Sequence, residues 1–243
     1  MRTYIINLAA ATWRKEYMDN VLKDVVGLNI KWMEAVDGKC LTDEEKEQLF
    51  DEKRFIRYFG KNIKRGEIGC ALSHQKCYKD LIDSDDEVAI VFEDDIVLKE
   101  PVEKIIGIIE NAMPHDKPAV LLLSAWYWYF RKRKQSADRF ICDVMDARLA
   151  HAYVINKQAA RIMYHSRPWF VADDWGFFRR KGVKIYSLLP QCVDQNWNPI
   201  FQSQTNTGEP TVSYFNICAW VRNVMHSIMR EIVKRVGNYL APY

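Results

Sequence analysis

The stretch from Val88 to Phe92, five apolar residues running straight into Glu93, Asp94 and Asp95, constrains the fold more than any other feature of the chain. A strand with one wet face alternates polar and apolar side chains, whereas an unbroken apolar run suits a strand covered on both faces, as in parallel α/β layers. Ala119 to Ser124 is a second such run. Between the two, Val102 to Ala112 has helical spacing behind Pro101, which a first helical turn tolerates. The same alternation extends along the chain. Thr3 to Leu8 reads as a strand, followed by a helix that Thr12 is expected to cap and Gly27 to end. Ile30 to Val36 reads as a strand closing on the Asp37-Gly38 turn. Thr42 and Glu45 form a capping box opening a helix toward Phe50, and Gly66 to Ile82 is a longer helix. Further strands are expected over 139–145, 151–155 and 184–189. The expected fold class is α/β, a Rossmann-like and mostly parallel sheet flanked by helices.

With 243 residues the chain has room for one large domain, or a domain with an appendage. Thirty-five basic and 32 acidic side chains leave a net charge of +3, too even a balance for a surface that binds polyanions, so nucleic acid is not an expected partner. The longest apolar run, 119–130, falls short of the roughly 20 residues that cross a bilayer, and no transmembrane helix is expected. The N-terminal stretch lacks a clear small-residue cleavage site and reads as a strand rather than a signal peptide. The cysteines at 40, 70, 77, 142, 192 and 218 include no close pair of the zinc-clamping or dithiol kind, which fits free thiols. Cys70 and Cys77 read as small core residues.

Three adjacent carboxylates repel one another, and in extended backbone Glu93 and Asp95 point to the same side. A divalent cation is their natural partner, and hard oxygen ligands suit Mg2+ or Mn2+. Parallel α/β sheets gather ligands outside the carboxyl ends of their strands, which is where the triplet falls.

In order, the chain carries Tyr-Ile-Ile-Asn-Leu (4–8) followed by Arg14, Ala-Val-Asp-Gly (35–38), Arg-Gly-Glu-Ile-Gly-Cys-Ala-Leu-Ser-His (65–74) and Val-Phe-Glu-Asp-Asp-Ile (91–96). In these motifs, and in the strand-and-helix stretch 151–163, it resembles glycosyltransferase family 25, the lipooligosaccharide enzymes related to the collagen galactosyltransferases. The resemblance covers most of residues 1–205. It implies a GT-A nucleotide-diphosphosugar fold and transfer of a sugar, most often galactose from UDP-galactose, onto an oligosaccharide acceptor. Asp95 would be the main metal ligand, with Glu93 in the metal or ribose shell and Asp94 beside the donor. Asn7 and Arg14 would lie near the uridine, and Ser73 and His74 would join the donor site.

Asp173 and Asp174 sit among Trp169, Phe170, Trp175, Phe177 and Phe178. Aromatic rings stack on sugar faces and a carboxylate takes the proton of an attacking hydroxyl, so one of the pair is expected to be the catalytic base; the alternative role for one of them is to cap a helix ending at Gly182. A single base opposite the leaving group suffices for inversion and a β-linked product. The basic aromatic segment 126–134 is read as a lid or acceptor loop, or else a solvated turn. Competing readings of the whole are use of another UDP-hexose, a metal-dependent phosphohydrolase, or a sugar-nucleotide-binding scaffold without turnover.

Residues 191–213 read as a long irregular stretch closing a catalytic domain of residues 1–213. Beyond it, 214–243 form an appendage whose helix, expected over 214–240, has an apolar stripe and four interspersed basic residues. That pattern suits a helix lying on an anionic membrane surface, placing the protein in the cytoplasm against the inner face of the membrane. The alternatives for the stripe are packing on the catalytic domain or on a second copy of the chain as a homodimer.

Overall fold

The computed structural model describes residues 1–23, 25–201 and 208–236, with the backbone of Tyr239 and Leu240. The first half is β1 (Arg2–Asn7), α1 (Thr12–Leu22), β2 (Asn29–Glu34), α2 (Asp43–Leu49), α3 (Glu52–Phe59), α4 (Arg65–Asp83), β3 (Val88–Glu93) and β4 (Ile96–Leu98). Then follow α5 (Val102–Ala112), β5 (Ala119–Lys134), β6 (Phe140–Asn156), α6 (Lys157–Met163), α7 (Trp175–Arg180), β7 (Lys184–Leu189), β8 (Val193–Gln195), α8 (Ile217–Arg235) and β9 (Tyr239–Leu240).

Seven strands form the central sheet in the order β2-β1-β3-β6-β7-β5-β9. β1 is parallel to β2 and β3, and β5 is parallel to β7, while β6 runs antiparallel to β3, β5 and β7. The α/β class follows from burial on both faces. Tyr4 and Ile6, Ala89 and Val91, and Val120 and Leu122 pack toward α4, α6 and α7. Their odd-even neighbours Ile5, Ile90, Phe92, Leu121 and Leu123 pack toward α1 and α5. Period-two strand geometry divides each apolar run between two helical layers, which is why the runs contain no polar alternation.

Several local expectations change. α1 begins at Thr12 with Ala11 in the capping position and no side-chain cap, and it ends at Leu22, ahead of Gly27. α3, capped by Asp51, was not foreseen in the sequence. Segment 126–134 is neither loop nor turn: it is the second half of β5, paired with 140–148 of β6. The two strands expected at 139–145 and 151–155 are one strand, because its ladder with β5 continues across irregularities and a left-handed residue, Leu149 (φ 75°). Within 191–213, β8 pairs with β4; residues 202–207 of that stretch lie outside the described residues. The C-terminal helix is shorter than expected, starting at Ile217 under the Asn216 cap and ending at Arg235. Tyr239 and Leu240 pair with β5 rather than extending it, and residues 237–238 and 241–243 of the expected appendage lie outside the described residues.

Candidate active site

Two motif glycines set the floor of a cleft at the carboxyl ends of β1 and β3. A Cβ on Gly69 would stand 2.4 Å from the Val36 carbonyl oxygen, and one on Gly38 would stand 1.8 Å from the Arg65 carbonyl oxygen. The loop after β2 therefore lies directly on the backbone of α4, an approach only glycine permits. Ser73 fastens the same contact: its hydroxyl accepts the Val36 N–H at 2.8 Å and donates to the Gly69 carbonyl at 2.7 Å. The hydroxyl thus accepts from the loop and donates within α4, and Ser73 also lines the cleft.

The acidic triplet divides. Asp94 turns into the protein, where Asn7 donates to one oxygen and Arg14 to the other, both at 2.7 Å. Asn7 also donates to the Ala11 carbonyl, so it ties the end of β1 to the start of α1 and to the triplet. Arg14 is 4% exposed and lies 3.7 Å from Asp95 as well. Burial pushes the Asp94 carboxyl up despite these partners.

Asp95 and Glu93 face the cleft. Gln195, delivered by the β8–β4 pairing, donates to Asp95 Oδ2 at 3.0 Å. The other oxygen, Oδ1, is buried and has no hydrogen-bond partner among the described residues. Burial, then the charge of Glu93, push the Asp95 carboxyl up to about 7. Burial would also raise Glu93, but its hydrogen bond with His74, together with the charges of His74, His151 and Arg14, outweighs it and holds Glu93 below its usual range. Crowded carboxylates with one orphaned oxygen are the electrostatic signature of a place for a cation. Glu93 and Asp95 therefore fit a hard divalent ion. Glu93 also belongs to a softer cluster, in which single donor atoms of Cys70, His74 and Glu93 lie within 4.8 Å of one another.

His74 is oriented from behind. The Tyr153 hydroxyl donates to Tyr78 at 3.0 Å, leaving its lone pairs for His74 Nδ1 at 2.7 Å, and Nε2 then faces Glu93 at 3.3 Å. Cys77 is in the core as expected, and Cys70 packs against the same core while also lining the cleft, 4.0 Å from Glu93. Burial, then the Glu93 charge, hold the Cys70 thiol well above its ordinary value, so it stays protonated and a poor nucleophile.

Across a second chamber that shares Cys70, Glu93 and Gln195 with the first stands Asp173. Its Oδ2 accepts the Leu149 N–H at 3.0 Å, and Trp175 Nε1 donates to the Leu149 carbonyl at 2.9 Å. Clamped at both ends, Leu149 holds its left-handed conformation, a strain of the sort found where a site demands it. Asp174 points elsewhere and caps α7 by accepting the Phe177 N–H at 3.0 Å; burial pushes its carboxyl up to about 6. The two adjacent aspartates thus have different hydrogen-bond partners, although both border the chamber beneath α8.

Residues 1–175 match the sequence profile of Glycosyltransferase family 25 (LPS biosynthesis protein). The chain belongs to glycosyltransferase family 25. It is 34% identical over 218 residues to human procollagen galactosyltransferase 2, covering 78% of this chain and 34% of that one. With a glycosyltransferase 25 family member of Anopheles gambiae it shares 28% over 225 residues, 83% of this chain and 34% of the relative. The chain thus spans about a third of the length of the curated relatives it matches. Among solved structures, galactosyltransferase LgtC in complex with donor and acceptor sugar analogs aligns over 89% of this chain and 88% of its own, at 8% identity and a TM-score of 0.38. The family 25 match takes in both glycines, the acidic triplet, Asp173 of the second chamber and its neighbour Asp174, and stops short of α8.

Sequence reasoning passed over His151, Tyr153 and Gln195. The first two were detectable as polar interruptions at period two in an apolar strand; His151, on Ser124 at 2.7 Å, lines the second chamber, with its imidazole pKa lowered by burial. Gln195 carried no local signal, because it reaches Asp95 from a hundred residues away.

Proposed function

We propose that this family 25 chain is a metal-dependent hexosyltransferase that moves galactose from UDP-galactose onto a hydroxyl of a lipooligosaccharide, with inversion. The observation carrying this reading is the unpartnered Asp95 oxygen beside Glu93, in a cleft joined to a chamber holding Asp173. A divalent ion, Mn2+ or Mg2+, held by Glu93 and Asp95 would supply positive charge facing the leaving diphosphate. Asn7, Arg14 and Asp94 keep the triplet's backbone fixed, and Ser73 with the two glycines keeps the donor-side loop in place. Asp173, oriented by the Leu149 N–H, takes the proton from the acceptor hydroxyl as its oxygen bonds the anomeric carbon; the bond to UDP breaks, and its electron pair leaves with the diphosphate. Asp174 serves the helix.

UDP release measured over a panel of UDP-sugars, with Mn2+ or Mg2+, with and without oligosaccharide acceptors, tests the proposal. Acceptor-dependent release, greatest with UDP-galactose, is expected. Acceptor-independent phosphate release would make the protein a phosphohydrolase, and donor binding without turnover would make it a scaffold.

We further infer attachment to an anionic membrane through the 214–243 appendage, with the enzyme on the cytoplasmic side. In support, Ile217, Trp220, Val221, Met225, Ile228 and Ile232 form an exposed stripe along α8. No helix among the described residues is long and apolar enough to cross a membrane. Arg222 and Arg230 turn inward instead, over Tyr58 and Trp128, so attraction to lipid falls to Lys234, Arg235 and the exposed basic end of β5. Co-sedimentation with anionic vesicles at low salt is expected; a chain that ignores them, or that self-associates through α8 instead, would overturn it.

A further inference from the structure

The chamber beside Asp173 continues away from the acidic triplet. Asp173 and Glu67 line its next part together with Tyr58 and Arg180, and Tyr58 and Arg180 then border a groove over Trp169 and Phe177. This groove lies between α3 and α7, and its charges are one-sided. Lys53, Arg54, Arg57, Arg180 and Lys181 line it against a single acid, Asp51. That carboxylate caps α3, accepting the Arg54 N–H at 3.0 Å. Glu47 lies 3.7 Å from Lys53 at the exposed outer edge, and Arg180, at the inner end, also borders Asp146, Asp173 and Asp174 of the adjoining chamber.

The cations are arranged on aromatic rings. The Arg54 guanidinium lies 4.3 Å from the Trp169 ring centre, Lys181 lies 5.5 Å from that of Phe177, and Arg180 donates to the Tyr58 hydroxyl at 2.9 Å. Trp169 is 5% exposed, and its indole nitrogen has no hydrogen-bond partner among the described residues. Guanidinium forks match phosphate and carboxylate oxygens two at a time. Trp169 and Phe177, each 5% exposed, form the floor beneath the cations, and the half-buried Tyr58 is the ring at the opening that a sugar would meet. A neutral glycan would leave the cations repelling one another.

We propose that this groove holds the charged portion of the acceptor, an oligosaccharide bearing phosphate or carboxylate groups, while its reacting hydroxyl lies at Asp173. The proposal rests on the reading of Asp173 as the acceptor-side base, and it names the acceptor's class as anionic.

Calorimetric titration of the full chain at low salt, with a singly phosphorylated maltopentaose, its neutral parent and inorganic phosphate as probes, tests the groove directly. The phosphorylated glycan is expected to bind at least about tenfold more tightly than the neutral one, an advantage that shrinks as salt screens it. Inorganic phosphate alone should bind more weakly than the phosphorylated glycan. Arg54→Gln and Lys181→Gln should each reduce the advantage severalfold; both side chains are exposed, so neither substitution opens the core. Equal affinity for charged and neutral glycan, or an advantage untouched by both substitutions, overturns the proposal. Phosphate binding as tightly as the phosphorylated glycan overturns its saccharide part. UDP release by the unmodified chain separates the two readings. Charged-glycan preference without acceptor-dependent release leaves the groove standing and removes the transferase; release with neutral acceptors and no charge preference does the reverse.

Discussion

The two halves of the site are built differently. On the proposed donor side, Asn7 and Arg14 both donate to the buried Asp94, and Asp95 Oδ1 has no hydrogen-bond partner among the described residues. On the proposed acceptor side, Asp173 accepts a backbone N–H, and the groove beyond it is lined by exposed cations. A buried network of this sort fixes geometry and tolerates no missing member, whereas exposed charges select a ligand and tolerate substitution. A constant leaving group suits the first construction, and a variable acceptor suits the second.

Asp173→Asn should break the acceptor half most severely, lowering kcat by about 100-fold to 10,000-fold while the KM for the donor holds. Steady-state kinetics check this, and normal turnover would place the base elsewhere. Arg14→Ala should damage the donor half through the fold itself. It strands the buried Asp94 charge, a change that costs about 3–5 kcal/mol and is read as a lower denaturation midpoint in urea. Asp95→Asn should leave the fold intact and lower turnover by about 100-fold to 1,000-fold, because charge facing the departing diphosphate is lost with the ligand. Full activity in chelator-treated protein would contradict this.

Asp174→Asn sharpens the contrast between neighbouring carboxylates. Asparagine caps a helix as well as aspartate, so turnover should stay near wild type. The Asp174 pKa is raised by burial to about 6, so the folded state binds its proton more tightly than the unfolded state. Wild type should therefore lose stability relative to the variant as pH rises from about 4 to about 6, by at most about 3 kcal/mol. Parallel melts across that range would show it; a difference independent of pH would not fit. The smallest effect is expected from Arg131→Ala, whose partner Asp143 is reached by an exposed side chain: about 0–1 kcal/mol, against several for Arg14.

Where residues that act together are also close in sequence, the site was legible beforehand. The apolar run 88–92 called for burial on both faces, and the sheet provides it with Ala89 and Val91 on one side and Ile90 and Phe92 on the other. Crowding of Glu93, Asp94 and Asp95 called for a cation, and the capping box at Thr42 and the helix from 102 to 112 stand as read. Local repulsion, periodicity and turn chemistry act over a few residues, so a linear chain displays them.

Only the tertiary structure decided which carboxylate does what. Asp94 and Asp95 are neighbours, yet α1 brings Arg14 to one and β8 brings Gln195 to the other. Asp173 and Asp174 are neighbours too, separated in role because a left-handed Leu149 presents its N–H to the first while α7 takes the second as its cap. Two basic residues of α8, Arg222 and Arg230, lie inward because Tyr58 and Trp128 give them ring faces to rest on. Apart from the Asp174 cap, whose Phe177 partner is three residues on, each of these outcomes depends on a partner distant in sequence, and side chains choose among such partners by distance and burial, which exist only once the sheet has formed.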